Sequence, residues 1–110
     1  MVIVLTTLGA SADAASLART LVEERLAACV NILPPMTSCY RWKDAIEEDR
    51  EQQLVMKTTP ERVDALARRL RELHPYELPE FIVLDAKASD AYGTWVGESI
   101  SGPAKAGPHN

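Results

Sequence analysis

An α+β sandwich is the fold class this sequence predicts, and three observations predict it. Two apolar stretches, Val2 to Leu8 and Phe81 to Leu84, have the length and β-branched content of buried strands. Two others, around Ala14 to Leu21 and Val63 to Leu73, space their apolar residues along one face of a helix. Between the two helices lies a long β-prone region, Cys29 to Thr58. The order is strand, helix, strand, strand, helix, strand with one added C-terminal helix, which is the split βαβ arrangement of a ferredoxin-like sandwich.

Taken in order, Val2 to Leu8 is closed by Gly9 and reads as an interior strand in mid-sheet. Ser11 or Asp13 can accept from free backbone amides as a helix N-cap. Ala14, Leu17, Ala18 and Leu21 then form the apolar stripe, with Glu23, Glu24 and Arg25 on the wet side. Cys29 to Trp42 is interrupted by Pro34-Pro35, because proline cannot donate to a ladder, so two strand pieces with a bend are expected. In the second piece Ser38, Tyr40 and Trp42 share one face, and Cys39, Arg41 and Lys43 share the other. Lys43-Asp44 makes the hairpin turn, and Glu51 to Thr58 supplies the returning strand of a long hairpin between the second and third strands.

Thr59-Pro60-Glu61 reads as a helix start, with Thr as cap, Pro where a missing N–H costs nothing, and Glu complementing the dipole. Val63, Leu66, Ala67, Leu70 and Leu73 form its buried stripe, and Arg62, Arg68, Arg69 and Arg71 fall mostly away from it. Pro75 disfavours helical geometry at His74 and ends the helix there. Phe81 to Leu84 is a further buried strand, and a short helix runs from Ser89 or Asp90 through Tyr92, Trp95 and Val96. One domain is expected over residues 1–101, with residues 102–110 a flexible tail that lacks apolar material to bury.

The chain has 110 residues, enough for one core, and 12 Lys and Arg against 16 Asp and Glu give a net charge of −4. That balance exerts no long-range pull on nucleic acid or anionic lipid. The run Met1 to Leu5 lacks a basic flank and reaches Thr6-Thr7 too soon for a signal peptide or a membrane span, so a cytoplasmic protein is expected. Cys29 and Cys39 have neither the pairing of a zinc or redox motif nor the density of a secreted scaffold, and reduced, buried thiols are expected. Tyr40, Trp42 and Val55 lie on a hairpin too long for one small sheet, which calls for burial by neighbouring subunits.

The run "EERLAACVNILPPMTSCYRWKDAIEED", followed by "LVMKT" and "HPYELPEFIVL", resembles the CutA family of divalent-cation tolerance proteins over about residues 1–100. The resemblance implies a ferredoxin-like fold, a tight homotrimer whose long hairpins extend neighbouring sheets, and likeness to PII-type signalling trimers. It also implies a role in tolerance of copper and other divalent cations, with no enzymatic reaction firmly attached and no required cofactor. In some members a Cys on the first strand and a His just before the last helix are the proposed copper ligands. Here Val2 to Thr7 and Asp85 to Ser89 contain neither, so that site does not carry over. Asp44 stands where the family usually has Gly at the hairpin tip.

Two readings are open for the stretch "ELHPYELPEF". His74, joined by Glu77 or Glu80, has the donor types that suit copper or zinc. Alternatively His74 caps the helix C-terminus, and Pro75 and Pro79 make a rigid joint between helix and strand. Tyr40, Trp42, Glu47 and Lys57 are candidates for an inter-subunit ligand pocket; equally, the aromatics are interface core. Glu47, Glu48, Asp49 and Glu51 form an acidic patch that gathers divalent cations by charge or simply solvates a sheet edge.

The leading functional reading is a non-catalytic trimer that binds or responds to divalent metal ions, with a PII-like signalling role. Its alternative is a small hydrolase or isomerase using His74 and Glu77 as acid and base groups. A copper chaperone would need a close cysteine pair where the chain has Leu8-Gly9-Ala10-Ser11, and an RNA-recognition module would need basic, aromatic strands where the first strand is aliphatic.

Overall fold

Why the fourth strand outgrows the rest is clearest from the pairing. In the computed structural model, which describes residues 1–102, the strands are β1 (Val2–Gly9), β2 (Cys29–Ile32), β3 (Met36–Trp42), β4 (Ala45–Thr58) and β5 (Ile82–Asp85). The helices are α1 (Ala14–Glu23), α2 (Val63–Leu73) and α3 (Asp90–Ser99). All pairings are antiparallel, in the order β2-β4-β1-β5, with β3 also on β4. The 14-residue β4 pairs with β2 through Leu54–Lys57 and with β3 through Ala45–Glu51. Its other edge meets β1 only from Glu51 onward. The first half of β4 therefore leaves the sheet with β3 as a two-stranded ribbon.

Strand alternation divides the sheet into two faces. Val2, Val4, Leu8, Leu54 and Met56 point to the helices and are buried with Leu21, Leu66 and Leu70. The register puts Ile3, Leu5, Val55, Ile82 and Leu84 on the opposite face, where they join neither core cluster among the described residues. Ile82 and Leu84 are exposed, and the whole of β5 is solvent-facing, although its composition predicts burial. It is an edge strand on an uncovered face. Phe81, just ahead of it, is the residue of this run that packs on the core.

Two caps follow the sequence and one does not. Asp13 accepts from the Ser16 N–H at 3.0 Å and starts α1; Ser89 accepts from the Tyr92 N–H at 3.2 Å and starts α3. Thr59 makes no side-chain cap; Pro60–Arg62 form a 3₁₀ turn closed by the Thr59 carbonyl, and α2 proper begins at Val63. The turn at Lys43-Asp44 has positive φ at both residues, 48° and 66°, the pair of left-handed conformations that a two-residue hairpin requires.

Glu24 and Arg69 depart from the expected wet face. Helix α1 ends in a Schellman turn, with Leu26 N–H bonded to Leu21 O and Arg25 N–H to Val22 O. Arg25 takes the left-handed position usually given to glycine, φ 60°. That reversal sends Leu26 and Ala27 into the core and holds Glu24, 4 % exposed, against α2. There Arg69 grips it through Nε and Nη2, each at 2.9 Å. The carboxylate pushes the Arg69 guanidinium further up from its ordinary value, chiefly through this hydrogen bond. Helical periodicity records hydrophobic stripes and is blind to a charge buried by a partner on another helix. Of the two thiols, Cys29 is half-buried and Cys39 is exposed, so the expectation of two buried cysteines fails at Cys39. The expected flexible tail at 102–110 lies outside the described residues beyond Gly102.

Two stability outcomes follow. Arg69→Ala strands a buried carboxylate and is expected to lower unfolding free energy by about 3 kcal/mol, read from the urea midpoint. Thr6 is fully buried on the helix-facing side of β1 with no partner for its hydroxyl among the described residues. Thr6→Val should therefore raise stability by about 1 kcal/mol with an unchanged denaturant slope.

Candidate functional site

The ribbon and the joint between α2 and β5 enclose a trough of about 870 Å³. Register on the ribbon explains its floor. Ser38 faces Asp49, Tyr40 faces Glu47 and Trp42 faces Ala45, and directly opposite residues share a face. One side of the ribbon thus carries aromatic residues on β3 beside a row of carboxylates on β4. Pro75, Tyr76, Glu77, Leu78, Pro79 and Glu80 form the facing wall.

Three side-chain ties hold that wall to the sheet. Past Leu5, where the β1–β5 pairing ends, His74 replaces a strand: its Nε2–H donates to Thr7 O at 2.6 Å. Its Nδ1 accepts from the Tyr76 N–H at 3.1 Å. A carbonyl can only accept and an N–H can only donate, so these two partners fix the neutral Nε2–H tautomer. Tyr76 Oη donates to Glu51 Oε2 at 2.7 Å, and Gln53 Nε2 donates to Glu80 Oε2 at 2.7 Å. At the mouth, Lys43 Nζ lies 3.7 Å from Glu77 Oε2 and 5.5 Å from the Trp42 ring centroid.

The tyrosines report a negative field. Tyr40 Oη donates to Asp49 Oδ2, and that bond, with desolvation and the charges of Asp49, Glu51 and Glu47, pushes its hydroxyl from 10.0 up to about 12. Tyr76 is also held well above the ordinary phenol value, first by burial and then by its bond to Glu51.

The sequence candidates separate accordingly. His74, Glu77 and Glu80 share one segment but do not converge: both His74 nitrogens are engaged, Glu80 is tied to Gln53, and Glu77 projects outward with its side chain 72 % exposed. Among the described residues no group of three or more His, Cys, Asp or Glu side chains is placed to hold a metal ion. The joint reading of this stretch describes its geometry, but the ring of His74 bonds to β1 instead of capping helix carbonyls. Tyr40 and Trp42 both line the trough, and Glu47 lies opposite Tyr40 on the same face. Lys57 shares that face of β4 but sits ten residues from Glu47, roughly 33 Å along the strand, and bonds Asn31 Oδ1 at 2.6 Å. Within one chain it takes no part in the trough. Sequence reasoning missed Gln53 and the roles of Tyr76, Asp49 and Glu51 there. The strand parity that unites Asp49, Glu51 and Gln53 was the available signal, but it needs β4 to begin at Ala45, six residues before the returning strand that the sequence predicts at Glu51.

Spectroscopic titration checks the field. The tyrosinate absorbance lost in Tyr40→Phe should titrate near 12, and Asp49→Asn should bring the Tyr40 transition down toward 10.0. The linkage has a definite sign. Because the folded pKa is the higher one, the Tyr40 contribution to stability is complete below pH 10 and fades as pH climbs toward 12. Because Asp49→Asn removes the difference between folded and unfolded Tyr40, its stability should fall less steeply than that of the wild type between pH 10 and pH 12.

Comparison with known proteins places this architecture. The family described as CutA1 divalent ion tolerance protein matches residues 2–99. A divalent-cation tolerance protein CutA of Thermus thermophilus is 44 % identical over 98 residues, covering 88 % of this chain and 95 % of the relative. A CutA homolog of Xenopus laevis is 46 % identical over 88 residues, covering 79 % of this chain but only 58 % of the longer relative. Among solved structures, the PII-like protein CutA from Nostoc sp. PCC 7120 in apo form superposes with a TM-score of 0.84 at 38 % identity, over 91 % of this chain and 97 % of that one. The sheet with its projecting ribbon is thus a ferredoxin-like fold shared with CutA1 and PII-like proteins, and the chain belongs to the CutA1 divalent ion tolerance family.

Proposed function

We propose that the chain works as a non-catalytic homotrimer of the divalent-cation tolerance type. It takes a divalent ion or a small ligand at the trough, on the boundary between subunits, and relays occupancy in the manner of a PII-like signalling protein. One observation carries this reading. The sheet face bearing Ile3, Leu5, Val55, Ile82 and Leu84 lies outside both core clusters of the described residues, with Ile82 and Leu84 exposed, and the ribbon projects with Ile46 61 % exposed and Tyr40 40 % exposed. A lone chain leaves that apolar surface in water; neighbouring copies cover it. Shared coverage also brings residues such as Lys57, at the far end of the same face, toward another copy's Tyr40, Trp42 and Glu47.

One chain does not fit a closed metal cage, since His74 is fully engaged and no donor triad converges among the described residues. Ion capture in this reading is weak and charge-driven, on half-buried Glu47 beside the trough and exposed Glu77 in its wall. The family name and the carboxylate row support a response to divalent ions. An acid–base role for His74 and Glu77 finds no support in the geometry, because the ring nitrogens are occupied and Glu77 pairs with Lys43. Two free cysteines, one of them exposed, suit a reducing, cytoplasmic setting. Among the described residues no helix is long and apolar enough to cross a membrane.

Sedimentation equilibrium should give a trimer at micromolar concentration, and Leu84→Asp should shift it to smaller species; a persistent wild-type monomer overturns the reading. Calorimetric titration with Cu²⁺ and Zn²⁺ should give weak binding that survives His74→Asn and falls in Glu47→Gln with Glu77→Gln. Loss of binding in a folded His74→Asn variant would make the histidine a ligand after all.

A further inference from the structure

The trough has a composition that selects among ligands. Asp49, Glu51, Glu77 and Glu80 line it, and among the described residues no lysine or arginine does. The rest of its lining is mostly aromatic and aliphatic, Tyr40, Trp42 and Tyr76 with Met36, Leu78 and the two prolines, with Thr7, Ser38 and Gln53 as neutral polar members. A hard, hydrated ion gains little from such walls, and two of the carboxylates, Asp49 and Glu51, are already capped by tyrosine hydroxyls. A cation with an apolar body gains from both the charge and the rings.

The mouth already holds one such cation. The Lys43 ammonium lies 5.5 Å from the Trp42 ring centroid and 3.7 Å from Glu77 Oε2. This is an alkylammonium seated on an aromatic face with a carboxylate beside it. Lys43 belongs to the hairpin tip, is itself 72 % exposed at its side chain, and is free to be displaced into water. Behind it, Glu47, Asp49 and Glu51 follow one another on alternate residues of β4, a period of roughly 7 Å. That period is comparable to the separation of the charges in an aliphatic chain carrying amines on short alkyl spacers.

We propose that the trough binds a linear aliphatic polyamine, with one ammonium displacing Lys43 from Trp42 and Glu77 and the next ones set against the Asp49–Glu51 row. The inference rests on the reading of the trough as the ligand site and names the chemical class of the ligand. Lys43 is then a tethered competitor that occupies the entrance when the ligand is absent. Tyr40 and Tyr76 hold the two carboxylates in place and supply ring faces to the alkyl segments between charges.

Calorimetric titration of the intact oligomer with spermidine and putrescine tests this. Spermidine should bind more tightly than putrescine, because it carries one more charge for the row. Affinity should fall tenfold or more in Trp42→Ala and in Asp49→Asn. Lys43→Asn, which keeps a residue tolerant of the left-handed turn, should bind spermidine severalfold more tightly, an effect that a merely structural lysine does not produce. Mg²⁺ at matched ionic strength should compete poorly. Absence of spermidine binding to a protein that sediments as a trimer overturns the polyamine inference and leaves the oligomer standing. Equal competition by Mg²⁺, or unchanged affinity in Lys43→Asn, overturns it as well, as does selective capture of a lysine-rich peptide in place of the free amine. A protein that fails to assemble at all would instead bring down the earlier reading.

Discussion

The mismatch in length between β4 and its neighbours is the constraint on which the architecture depends. Fourteen residues of continuous strand cannot be paired along their whole length by an eight-residue β1 on one edge. The surplus leaves as a ribbon with β3, and everything distinctive about the molecule lies on or beside it. Its inner face provides the floor of the trough, and its projection adds surface to a sheet whose second face is already uncovered. Had β4 stopped at the length of β1, the chain would close as an ordinary two-layer sandwich with no slot beside the sheet.

The helical layer solves a different problem. Hydrophobic burial by α1 and α2 covers one face of the sheet, and the Glu24–Arg69 pair fixes the two helices against one another. A buried ion pair of this kind is a poor source of net stability compared with apolar packing, yet losing one partner is costly. Its value lies in register: two helices with generic leucine stripes can slide, whereas a two-pronged guanidinium contact allows a single alignment.

Much of this was legible in the sequence because local chemistry and global fold agree. The Pro34-Pro35 break, the Lys43-Asp44 turn, the start of α3 at Ser89 or Asp90 and the end of α2 before Pro75 each follow from restrictions that act within a few residues. What was not legible depended on distant partners. Glu24 reads as a surface residue until Arg69, forty-five positions away, is placed beside it. Phe81 to Leu84 reads as core because composition cannot say that the next strand over is missing. His74 reads as a ligand or a cap because nothing nearby reveals that Thr7 O waits for a donor, sixty-seven positions earlier. The candidate site was half visible: Tyr40 and Trp42 were found by alternation, while the facing wall required the three-dimensional return of the chain.

That wall has its own consequence. The contacts of His74 with Thr7, Tyr76 with Glu51 and Glu80 with Gln53 all run to β1 or β4. The width of the slot is consequently gauged against the hydrogen-bonded lattice of the strands, the stiffest component available, so breathing of the helices leaves its calibre nearly constant. Such a gap behaves as a fixed die, cut to the spacing of the strands.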